Sequence, residues 1–77
     1  MDNSFDRAIG RQIKVLRERH SLSQESLASL AAISRTHLAQ IESGNISPTV
    51  RTVRKISDEL SIQMSELISD AEESLDD

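Results

Sequence analysis

Leu38 and Ile41 share one face of a helix, and Thr36, Ala39, Gln40 and Ser43 then share the opposite one. Arg35 and His37 flank that outer face near its N-terminal end. The chemistry open to this set is hydrogen bonding rather than bond breaking. An arginine can donate two hydrogen bonds to a guanine edge, and a glutamine can pair with an adenine. Thr36 can donate, accept or touch a thymine methyl, while Ala39 offers only a methyl contact. Short residues between the long ones let such a helix sink into a groove. His37 can reach a phosphate or a base, or simply face solvent. Any small bundle has a solvated helix face, so the reading depends on the elements in front of it.

Those elements are legible. Residues 22–44, LSQESLASLAAISRTHLAQIESG, read as two short helices around a tight turn, Ala31-Ala32-Ile33-Ser34. Two such helices at a steep angle can push the second into the DNA major groove. Ser23 caps the first of them, with Glu25 in its opening turn, and Ser34 caps the second. Leu27, Leu30 and Ala31 are read as the buried side of the first, with Ala28 small enough for close helix approach. Gly44 supplies a left-handed stop. Upstream, Phe5, Ile9, Ile13 and Leu16 mark one face of a helix capped by Asn3 or Ser4. Downstream, either Ser47-Pro48 or Thr49 starts a fourth helix with Val50, Val53, Ile56 and Leu60 inward. Ser61 ends it. A fifth helix around residues 63–71 presents Met64, Leu67 and Ile68. The expected fold class is a compact all-α, five-helix bundle.

Composition sets the bounds. Seventy-seven residues make one small domain, and without cysteine it has neither a disulfide nor a thiolate metal site. The two histidines stand seventeen positions apart, which is no ligand spacing. No metal or other cofactor is expected. The single aromatic, Phe5, excludes a stacking platform for single strands. No nucleophile with a positioned base and no phosphate loop is present, so an enzyme is not expected. No apolar run nears the roughly 20 residues of a membrane span, and the N-terminus lacks the form of a signal peptide, so a cytoplasmic location is expected.

The net charge is -4, against the usual bias of a DNA reader. Five of the thirteen acids lie in residues 70–77, however, leaving eight acids against nine bases before them. Residues 1–69 are therefore read as the DNA-binding domain and residues 70–77 as a disordered acidic tail. Of the basic cluster Arg51, Arg54 and Lys55, Arg51 beside the loop is the better phosphate ligand, and the other two are solvated charges.

The stretch LSQESLASLAAISRTHLAQIESG resembles the Cro/CI-type helix-turn-helix of the XRE family, the lambda-repressor-like DNA-binding domains. LRERHSLSQESLA, IESG and SPTVRTVRKISDELSIQMSELI fall in register with it, so the resemblance covers about residues 8–68. It implies base-reading roles for Arg35, Thr36, Ala39 and Gln40. Gln24 falls where the family has a glutamine that touches both the DNA backbone and the recognition helix, which is compatible with a capping role. Ser43 and the helix start at Thr49 fall on phosphate-contacting positions, and Ser34, His37 and Arg51 join them. Arg17 and Glu42 are implied to pair across the core. Ala32 and Ser61 stand where the family often has glycine.

The resemblance points to a transcriptional regulator, a repressor, acting as a homodimer on a palindromic operator in double-stranded DNA. Met64, Leu67 and Ile68 offer the apolar surface for the dimer. The rival reading is an antitoxin or antirepressor, a protein-interaction module whose acidic tail engages a protein partner.

Overall fold

Each of the three inner helices starts where a hydroxyl can close its first turn. Ser23 Oγ accepts from the Ser26 N–H at 3.0 Å, Ser34 Oγ from the His37 N–H at 3.0 Å, and Thr49 Oγ1 from the Thr52 N–H at 3.1 Å. Between Ser47-Pro48 and Thr49, the structure thus selects Thr49. In this computed structural model, which describes residues 4–75, five helices result. They are α1 (Ser4–Arg19), α2 (Gln24–Leu30), α3 (Arg35–Ser43), α4 (Val50–Glu59) and α5 (Met64–Leu75), and no strand is present among the described residues. Ser4 opens α1, while Asn3 lies outside the described residues.

The helix ends share one device. Ser21, Ala32, Gly44 and Ser61 all adopt left-handed backbone, with φ of 57°, 58°, 79° and 57°. In each case the next residue's N–H reaches back five positions: Leu22 to Arg17 O, Ile33 to Ala28 O, Asn45 to Gln40 O, and Ile62 to Ser57 O. These bonds satisfy carbonyls the helix ends leave open. Leu22, Ile33 and Ile62 then fold onto the core, so three of the four stops also anchor the chain. Only one of the four left-handed positions is glycine, and an L side chain there meets its own carbonyl. The triple substitution Ser21→Gly, Ala32→Gly and Ser61→Gly should therefore stabilise the fold by about 2 kcal/mol in all, net of glycine's greater unfolded-state freedom. Thermal melts would show a rise on the order of 10 °C. An unchanged or lower melting temperature would mean that these residues do not sit in left-handed backbone.

The core is aliphatic. Ile13, Leu27, Leu38, Ile41, Ile56, Leu60 and Leu67 are all at most 2 % exposed. Ser57 is buried among them with a hydroxyl that finds no partner among the described residues, a cost of about 1–3 kcal/mol. α1 packs against α3 and α5, and α2 against α3 and α4.

Several assigned stripes need correcting. Phe5 is 39 % exposed, because a spacing of four drifts about 40° per step and carries it off the arc that Ile13 centres. Leu30 is 54 % exposed, because α2 turns the arc of Leu27, Ala28 and Ala31 inward instead. Val50 is 70 % exposed, since it opens α4 a full turn before the first core residue, Val53. Finally, α5 continues to Leu75 and Ala71 is fully buried. The acidic segment from Asp70 to Leu75 is thus helical and tied to the core, not a disordered tail. Asp76 and Asp77 lie outside the described residues.

Candidate nucleic-acid interface

α3 is held from three sides. Ser34 closes its start and Gly44 its end, and Leu38 and Ile41 are fully buried beneath it. The third restraint is polar. Arg17 Nε donates to Glu42 Oε2 at 2.7 Å and its Nη2 to Glu42 Oε1 at 3.1 Å. The same guanidinium donates from Nη1 to Leu22 O at 2.7 Å. Gln24 Nε2 also donates to Glu42 Oε1, at 3.0 Å. One buried carboxylate on α3 thereby gathers α1 and the first residue of α2. The bond to Glu42 raises the pKa of Arg17 above its ordinary value, against the opposing effect of burial. Arg17 therefore keeps its charge at any pH the protein meets, and its guanidinium meets the carboxylate in a bidentate contact.

The outer face of α3 stays open. Arg35, Thr36, Gln40 and Ser43 are exposed, and Ala39 and His37 are half-buried. Arg35, Thr36, Ala39, Gln40 and Ser43 line one shallow depression of about 370 Å³, joined by Asn45 from the following loop. All four residues assigned to base reading therefore share a single concave surface. Asn45 was not singled out from the sequence, since it lies past the helix and outside any periodic pattern. The glycine stop before it was the available signal, because such a stop turns the chain back over the helix face.

The remaining assigned residues fare differently. Ser34 Oγ accepts from the His37 N–H, which leaves its own proton free to donate. Ser43 Oγ donates to Gln40 O at 3.0 Å. Thr49 Oγ1 accepts at the cap and donates to Thr52 Oγ1 at 3.0 Å, so its hydroxyl is committed within α4. Arg51 is exposed in the first turn of α4. Arg54 sits 3.5 Å from Asp58 in an exposed i,i+4 pair, in keeping with a solvated charge. Leu67 cannot face a second subunit: it is fully buried in its own core, against which Met64 also packs. Ile68 is half-buried, and Leu75 on the same helix is 46 % exposed. Among the described residues, no three His, Cys, Asp or Glu side chains cluster as metal ligands, and no helix is long and apolar enough to cross a membrane.

A family model described as helix-turn-helix matches residues 13–67, which include the Arg17–Glu42 pair and all of α2 to α4. The chain belongs to the XRE-type helix-turn-helix family. It is a DNA-binding regulator of transcription and not an enzyme. Among curated relatives, control protein C.MunI of Mycoplasma sp. is 39 % identical over 91 % of this chain and 96 % of its own length. The immunity repressor protein of Bacillus phage phi105 is 34 % identical over 80 % of this chain. Of that repressor the chain spans only 43 %. Among solved structures, the restriction-modification controller protein C.AhdI of Aeromonas hydrophila superposes with a TM-score of 0.78. It is 29 % identical and covers 80 % of this chain and 94 % of its own.

Proposed function

We propose that this helix-turn-helix regulator is a repressor that binds a palindromic operator as a homodimer, with α3 in the major groove. The observation that carries the reading is the α3 outer face: Arg35, Thr36, Ala39 and Gln40 line one open depression on a helix fixed from behind. One such helix spans only a few base pairs, so two half-sites about 34 Å apart supply the rest of the specificity. Gln24, Ser34, His37, Ser43 and Arg51 take phosphates, together with the open N–H groups at the start of α4 behind Thr49. With Leu67 interior, the contact between subunits falls to the exposed part of α5 around Ile68 and Leu75. The likeness to an immunity repressor supports repression. The cytoplasm is where such a protein meets DNA. The acidic end of α5, with Asp70, Glu72 and Glu73, supports a second reading as an antitoxin or antirepressor that binds a protein.

Selection from a random duplex library tests the first reading. It is correct if an inverted repeat emerges whose affinity falls steeply as salt rises. On that duplex Arg35→Ala should cost about 1–3 kcal/mol and erase the base preference at one position per half-site. An equal loss on every sequence would make Arg35 a phosphate ligand, and a salt-independent affinity would rule out DNA binding.

A further inference from the structure

Resting on the DNA-binding reading above, we infer that Asn45 is a specificity-determining residue that reads an adenine at the far end of each half-site from the base read by Arg35. Three observations converge. Asn45 lines the same depression as Arg35, Thr36, Ala39, Gln40 and Ser43, so a groove floor seated in that depression meets its side chain as well. It is exposed although it follows a helix whose inner face is fully buried. Its backbone is also fixed. Gly44 turns the chain through left-handed backbone, and the Asn45 N–H donates to Gln40 O at 3.1 Å, tying the loop residue to a residue of the reading face.

That last bond separates Asn45 from an ordinary loop residue. A side chain on a mobile loop would lose ordering entropy on meeting a base. Asn45 instead starts from a backbone position set by the helix end. Filling Gly44 would break this arrangement, since a Cβ there would lie 2.8 Å from the Arg7 Cα in addition to its strained φ. The glycine stop therefore aims Asn45 as well as ending α3.

The chemistry follows from the amide. A carboxamide offers one donor and one acceptor side by side, the complement of the N6 and N7 edge of adenine. The reading face then carries two side chains suited to adenine, Gln40 and Asn45, and one suited to guanine, Arg35. From Arg35 to Ser43 the helix rises about 12 Å, and Asn45 lies just beyond. At about 3.4 Å per base along one strand, the Asn45 base falls three to four pairs from the Arg35 base.

The test is the base-preference profile of the full chain and of Asn45→Ala and Arg35→Ala, read from the same random duplex library. Asn45→Ala is expected to abolish a 5- to 100-fold preference for adenine at one position per half-site, three to four pairs from the position lost in Arg35→Ala. The preference at the Arg35 position should persist, and it shows that the variant is folded and docked. Asn45→Gln, which moves the amide outward by one methylene, should weaken the same position and no other. An unchanged profile for Asn45→Ala would overturn the inference while leaving DNA binding intact. So would a uniform loss on all sequences, which would make Asn45 a phosphate ligand. Failure of the unsubstituted chain to select any duplex would instead overturn the DNA-binding reading itself, and this inference with it.

Discussion

Gly10→Ala is expected to destabilise the fold by about 3 kcal/mol or more, although alanine is the better helix former. Gly10 is buried in the middle of α1, where an exposed glycine would cost roughly 0.5–1 kcal/mol relative to alanine. Propensity alone therefore predicts stabilisation. Packing reverses the sign. A Cβ on Gly10 would lie 2.7 Å from Glu42 O and nearer still to Ile41 O. Both atoms are backbone in the last turn of α3, so no side chain can rotate away. α1 and α3 would have to separate, and the Arg17–Glu42 pair bridges the same two helices. Overpacking usually costs 1–3 kcal/mol, and backbone against backbone is its least forgiving form. A domain of this size holds about 4–12 kcal/mol in total. Urea unfolding should thus show a large drop in midpoint. A midpoint equal to or above that of the parent would mean that α1 does not cross α3 this closely.

Gly10 also shows where sequence reading stops. Gly44 was legible because its role is local: a helix ends, the chain needs positive φ, and glycine supplies it. Gly10 has no local signature, since what demands it is a helix thirty residues away in sequence. The same division runs through the chain. Ser23 and Ser34 were legible as caps, and Thr49 as one of two candidates beside Ser47-Pro48, because caps involve neighbours, whereas Ala32 was marked only by the glycine the resemblance implies there. Leu30 and Val50 were misassigned because an apolar residue at helical spacing shows a face but not its boundary, which the packed partner sets. The extent of α5 was hidden for the opposite reason. Asp70, Glu72 and Glu73 read as a solvated tail, and only Ala71 between them marks the side that docks. At the interface, periodicity found Arg35, Thr36, Ala39 and Gln40, whereas Asn45 lies past the helix, where periodicity has nothing to measure.

Removal of either partner of the Arg17–Glu42 pair should cost about 3–5 kcal/mol, a large share of the domain's stability. Glu42→Leu leaves a buried guanidinium whose one remaining partner among those described is Leu22 O. Arg17→Met leaves a buried carboxylate whose one remaining partner among those described is the Gln24 amide. Neither side chain is more than 10 % exposed, so water does little to replace the lost partner. In the double variant Arg17→Met with Glu42→Leu no charge is stranded, and apolar groups of similar volume fill the site. Stability should then recover to within about 1 kcal/mol of the parent or exceed it, as expected when a whole buried pair is replaced. Urea unfolding of the parent, both single variants and the double closes the cycle. Single losses below about 1 kcal/mol, the range of an exposed pair, would show that water reaches the site. Titration offers no escape on the arginine side. The pKa of Arg17 is raised by Glu42, so its contribution is complete below its ordinary value and is lost only in strongly alkaline solution. The double variant also separates folding from presentation. It removes the acceptor that holds Gln24 against α3, so operator affinity should fall by about tenfold while the fold stays intact. If affinity instead returns together with stability, apolar packing alone suffices to hold α3 in its reading position. The polar link to Gln24 would then be a consequence of the fold rather than a means of aiming it.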